Sequence, residues 1–255
     1  MENIKNEIIS NSRHQIIYYS NFEERKQLLE GISKENPLTI GNNKPAAIYV
    51  DDLAPNVDSI NDQCDTRKLS ILSKDYLEYS IAYEITKELS KITHDEKIID
   101  NILGTINSLY LNNPQKHIKT LDELIKGFEK TKDYYSEKFI ELTQNGDVKF
   151  NFCKIPFCFF ELERYVRKIK TFLNNDSYMV ILLNHQQDIF LESTKAINNL
   201  IASRINKDIS IKLATKKEDW KTYVAQNGEL INPVHDYDII YLDDEHKSGS
   251  KTIKY

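Results

Sequence analysis

The chain has 255 residues, of which 29% are charged, with a formal net charge of −5 at pH 7. That length suits one large domain or two small ones, while the mildly acidic balance argues against nucleic-acid binding through a dominant basic face. The three cysteines, Cys64, Cys153 and Cys158, are odd in number and lack C-x-x-C spacing, which argues against a disulfide framework or a cysteine-based zinc site. Residues 1–20 do not read as a signal peptide, and the longest apolar run, Tyr178 to Leu183, is far too short to span a bilayer. A soluble cytoplasmic protein is the expectation.

In chain order, residues 1–18 read as a short lead-in. From Asn21, a candidate N-cap, the spacing of Phe22, Arg25, Leu28, Leu29 and Ile32 predicts a helix with Glu23 and Glu24 in its first turn and Gly31 near its stop. Two short strands are expected at Leu38–Ile40 and Ala46–Val50, joined by Gly41 to Pro45. Residues 51–68, rich in Asp and Asn, read as a loop. A helical middle follows, with amphipathic spacing over Tyr76–Leu89 and Ile98–Leu109. A third helix starts at the capping-box pattern Thr120-Leu-Asp-Glu123 and closes at Asn145-Gly146, and a fourth covers 159–173. Met179–Leu183 is a continuous apolar run of strand length, as expected for a strand covered on both faces. A helix over 192–204, a strand over Ile209–Thr215 and a strand at Asp238–Leu242 complete the pattern. Strand–helix–strand of this kind predicts an α/β fold with a mainly parallel central sheet. The expected organisation is a single α/β domain over 1–255, a helical insertion over 69–175 and a flexible tail over 243–255.

Residues 37–52 carry an informative absence. A P-loop protein places G-x-x-x-x-G-K-[ST] between a strand and a helix, so that backbone N–H groups cradle phosphates. Between these two apolar runs Lys44 is followed by Pro45, there is no second glycine, and no helix fits. Pro45 removes a further donor.

The order of elements, together with "SYMVILLNHQQ" (177–187), "KAINNLIASRINKDISIKLAT" (195–215) and "VHDYDIIYLDD" (234–244), resembles bacterial AAA-type P-loop ATPases of the ORC/STAND kind. The likeness covers about a third of the chain and implies a P-loop NTPase-like fold. In such proteins the long apolar strand ends in an acidic pair that serves Mg²⁺ and water; here Asn184 and His185 stand there. Asn carries no charge, and imidazole is a poor ligand for Mg²⁺, which prefers oxygen. With the glycine cradle and the acidic pair both missing, the resemblance implies an ATPase-like body without the usual hydrolytic route. By analogy with that family, the context would be a mobile element or phage defence.

The candidate ligand-binding residues are therefore Asn184 and His185 at the end of the best-defined strand, with Gln186 and Gln187 beside them. Asp51 and Asp52 follow a strand end, and Lys44 could supply one charge. No catalytic residue and no metal ligand is assigned. No cofactor is specified, and ATP or Mg²⁺ binding has little support in the residues. Glu245-His246-Lys247 fits half of a metal-dependent nuclease motif, with Asp236 and Asp238 nearby, which keeps a nuclease as one alternative. Cys153 and Cys158 read as apolar cysteines packed among Phe152, Phe157 and Phe159. Arg164, Arg167, Lys168 and Lys170, beside Tyr165, read as a solvated helix face, with a nucleic-acid role as the other reading. Trp220 and Tyr223 suit either the core or a partner surface, and an antitoxin-like or adaptor protein is the other alternative. The expected role is a regulatory or scaffold component of a bacterial complex, with a protein partner, no membrane, and nucleic acid left open.

Overall fold

A computed structural model describes residues 2–56, 64–92, 95–109, 117–151, 157, 160–185, 189–202, 207–233 and 235–242. The chain forms two compact units. One comprises Met1–Pro37, Pro45–Leu53 and Tyr178–Tyr255, the other Leu38–Lys44 and Ala54–Ser177.

The first unit carries the sheet. Its described elements are α1 (Glu2–Ser10), β1 (His14–Tyr18), α2 (Phe22–Glu35), β2 (Ala46–Val50), β3 (Met179–Asn184), α7 (Leu191–Ala202), β4 (Ile209–Thr215) and β5 (Tyr237–Tyr241). The five strands are all parallel, in the order β2-β3-β4-β1-β5. Every residue of β3 and β4 is buried, which is why β3 is a continuous apolar run. Side chains alternate across the pleat, so Ile17, Ala47, Val180, Leu182 and Ala214 share one face. Ile8 and Ile9 of α1 and Leu28, Leu29 and Ile32 of α2 join them in a single apolar cluster. Each buried Ile, Leu or Val of the cluster contributes roughly 1.5–3 kcal/mol on burial.

Two expectations are corrected. The stretch expected as a lead-in over 1–18 carries α1 and β1, and β1 lies inside the sheet between β4 and β5. The strand was hidden because it opens on His14 and Gln15, polar residues that the sheet buries. The backbone N–H of Ile211 donates to His14 Nδ1 at 2.9 Å, which supplies a polar partner there. The expected strand at Leu38–Ile40 does not form either. Those residues belong to the other unit, and a turn at Ile40–Gly41, with Gly41 at φ 68°, ends with its N–H on Leu173 O at 2.8 Å.

The second unit is helical: α3 (Thr66–Ile92), α4 (Glu96–Leu109), α5 (Leu121–Asn145) and α6 (Leu162–Phe172). Thr120 caps α5 by accepting from Glu123 N at 3.1 Å, and Gly146 at φ 76° closes it, both as its sequence signals predict. The interior is aromatic. Phe128 packs on Tyr79, Phe157, Phe160 and Tyr165, with ring centroids 4.7–6.2 Å apart. Arg164, Arg167 and Lys168 are exposed on α6, while Lys170 is buried. Cys153, Cys158, Phe152 and Phe159 lie outside the described residues.

Candidate functional site

In an open parallel sheet, ligands bind beyond the carboxyl ends of the strands, where successive connections leave in opposite directions. Here β1 leads through α2 toward β2 on one side of the sheet, and β4 leads to β5 on the other. The ends of β1, β3 and β4 are adjacent, so this is the edge that a ligand would use.

The β1–α2 connection is Tyr19, Ser20 and Asn21 alone. Three residues without a glycine leave no loop from which backbone N–H groups could cradle phosphates. The helix N-terminus behind it is also already satisfied. Asn21 accepts from Glu24 N at 3.2 Å, and Glu23 and Glu24 set two carboxylates in the first turn. Carboxylates there complement the helix dipole and repel a phosphate that would otherwise use it.

Arg25, one turn into α2, points back across the strand ends and is 2% exposed. Its Nε donates to Asn184 Oδ1 at 2.9 Å, Nη2 to His185 O at 2.7 Å, and Nη1 to Tyr19 O at 2.9 Å. The guanidinium carbon lies 5.3 Å from the Phe22 ring centroid. Asn184 passes the network on: its Nδ2 donates to Tyr49 Oη at 3.2 Å. Tyr49 in turn is hydrogen-bonded to Asp51, and burial raises its hydroxyl pKa, with Asp51 and Glu30 adding to the effect.

His185 follows on the other side. Its Nδ1 lies 3.2 Å from Thr215 Oγ1, and Trp220 meets its ring edge to face at 5.3 Å. Burial, and then the charges of Arg25 and Lys221, lower its pKa to about 3. The ring is therefore neutral, and a weak base, near pH 7. Among the described residues, His185 Nε2 and Trp220 Nε1 are both buried without a hydrogen-bond partner.

The structure thus joins Asn184, His185 and Asp51 through Arg25 and Tyr49, and sets Asp52 half-buried beside Asp51. Lys44 belongs to the other unit, exposed, with its carbonyl accepting from Asn175 Nδ2 at 3.3 Å. Gln186 and Gln187 lie outside the described residues, as do Glu245, His246 and Lys247. Asp236 is buried and accepts from Asn232 N at 2.6 Å, while Asp238 pairs with Arg13 at 2.9 Å. Trp220 is buried and Tyr223 is 36% exposed. Sequence reasoning missed Arg25 and Tyr49 as site residues. The available signal was a cation spaced with Phe22, Leu28, Leu29 and Ile32 on an apolar helix face.

Among the described residues no group of three or more His, Cys, Asp or Glu could hold a metal ion. Among the described residues, the donor set at the ends of β1 and β3 does not fit a Mg²⁺–triphosphate; the carboxylates of this edge, Asp51 and Asp52, follow β2. The strand end offers a neutral amide and a neutral imidazole, a guanidinium already occupies the amide oxygen, and no cradle exists.

An all-parallel five-stranded sheet of this order with helices about it is an α/β fold of the P-loop NTPase-like kind. Among known families, residues 32–254 match the ORC-CDC6-like family, and the chain belongs to that family as an AAA-type ATPase-like protein. No curated protein and no solved structure matches the chain. Among the described residues no helix is long and apolar enough to cross a membrane.

Proposed function

We propose that this chain is a catalytically degenerate ATPase-like protein that serves as a regulatory or scaffold component of a bacterial complex, in phage defence or a mobile element. The observation that carries the reading is the three-residue, glycine-free connection from β1 to α2. Phosphoryl transfer relies on positioning and charge neutralisation by a lysine-bearing cradle and a metal, and neither has a place at this strand edge. The neutral Asn184–His185 pair supports the same conclusion. A role through protein contact is supported by exposed apolar side chains on edge strand β5 and on the connection before it: Ile239, Tyr241, Tyr223 and Leu230. The test is phosphate release from ATP by purified protein with Mg²⁺. No release above background is expected. Steady Mg²⁺-dependent release that disappears in Asn184→Ala would overturn the reading.

A further inference from the structure

The misfit between the strand edge and a metal–nucleotide has a specific cause in this chain. Asn184 ends the strand where a Mg²⁺-serving carboxylate would stand, and its only side-chain oxygen accepts from Arg25 Nε at 2.9 Å. The same guanidinium holds the next carbonyl, His185 O, and the Tyr19 carbonyl at the end of β1. One planar cation therefore ties together the helix α2, the turn after β1 and the end of β3. The three oxygens in these bonds are all neutral, and Arg25 is almost fully buried. A buried charge is tolerated only when hydrogen bonds replace its water, and three short bonds to fixed oxygens do so here.

We propose that Arg25 is the resident cation of this site: the chain supplies its own positive group in place of a divalent metal, and the strand edge is held in one arrangement without a ligand. This deepens the degenerate reading and rests on it for the identity of the edge. Its test reads melting temperature, not turnover, so the two can fail separately. Holding α2 to β1 and β3 through a side chain rather than a dissociable ligand makes the edge indifferent to nucleotide and to divalent ion.

The decisive comparison is a double-mutant cycle between Arg25→Met and Asn184→Asp, with thermal melting in EDTA and in millimolar Mg²⁺. With Arg25 present, a carboxylate at position 184 faces the buried guanidinium, so the change in melting temperature caused by Asn184→Asp should be more favourable than in the Arg25→Met background by roughly 2 °C or more, equally in EDTA and in Mg²⁺. With Arg25→Met, the same change leaves a buried carboxylate without a cation, and melting should fall below that of Arg25→Met alone. If Arg25→Met does not fold, the Asn184→Asp single variant still decides. A drop in its melting temperature in EDTA that Mg²⁺ restores would show a metal site and overturn the proposal. So would an equal effect of Asn184→Asp with and without Arg25. As a second arm, Arg25→Ala should melt higher in millimolar methylguanidinium than in sodium chloride of equal ionic strength, because a ligand that binds only the folded state stabilises it. No difference between the two salts would count against a guanidinium site.

Discussion

Thr215 Oγ1 lies 3.2 Å from His185 Nδ1 and 3.1 Å from Lys216 O. A carbonyl can only accept, so the threonine proton goes to Lys216, and the imidazole must donate from Nδ1. The assignment leaves Nε2 as a lone-pair acceptor, buried, like the Trp220 indole N–H, without a partner among the described residues.

The first prediction concerns acid stability. His185 has a folded pKa of about 3 against an ordinary value of 6.5, because burial disfavours the charged ring. The unfolded chain therefore binds the proton more readily between those two values. This contribution to stability is fully present above pH 6.5 and is lost as pH falls toward 3. Between pH 7 and 5 the loss is roughly 2 kcal/mol. Urea unfolding of the wild type should show that drop, and His185→Asn should lack it. Equal pH dependence of the two proteins would show that His185 is not held neutral.

The single tryptophan gives a second prediction. The buried Trp220 N–H has no partner among the described residues, and an unpaired one costs about 1–3 kcal/mol, so Trp220→Phe sheds a penalty while it loses some buried area. The exchange should cost no more than about 1 kcal/mol, against about 3–5 kcal/mol for Trp220→Ala. Denaturant midpoints distinguish the two, and a Phe variant as unstable as the Ala variant would mean that the N–H has a partner.

Lys212 is fully buried in the middle of β4, with Nζ on Asn11 O at 2.6 Å and Arg13 O at 2.7 Å. Burial lowers its pKa to about 7, opposed by the charge of Asp238. Between pH 7 and 10.5 the unfolded chain holds the proton and the folded one does not, so folding gains stability as pH rises through that window. From pH 7 to 9 the gain is about 2 kcal/mol, and Lys212→Met should not show it. Tyr18, whose pKa burial raises, titrates above this window. Parallel stability curves for wild type and variant over pH 7–9 would contradict the burial effect.

What the sequence disclosed follows from how each element is stabilised. β3 and β4 were legible because both faces are covered, so their burial is written as runs of apolar residues. α5 was legible through local cap chemistry at Thr120 and Gly146. β1 was not, because its polar start is paired only by long-range contacts such as Ile211 N to His14 Nδ1. Leu38–Ile40 misled in the opposite sense: three residues of strand-like composition lie in the helical unit, where no strand pairs with them. At the site, Asn184 and His185 could be placed from the end of an apolar run. Their partners Arg25 and Tyr49 could not, because those contacts span 159 and 135 positions in sequence.

The helical unit offers the last prediction. Phe128 is fully buried, and its ring meets Tyr79, Phe157, Phe160 and Tyr165 in tilted and edge-on arrangements. Its geometry suits aromatic quadrupoles, which add about 0.5–1.5 kcal/mol per pair beyond area burial. Phe128→Ala should cost about 3–5 kcal/mol, since it leaves a cavity that rigid rings close poorly. Phe128→Leu refills most of the volume without the ring contacts, so its cost should be less than half of that. The difference between the two in urea unfolding measures cavity formation, and the residual cost of leucine measures the aromatic pairing. If leucine costs as much as alanine, shape and ring contacts outweigh volume at this position, and the cavity account of the cluster fails.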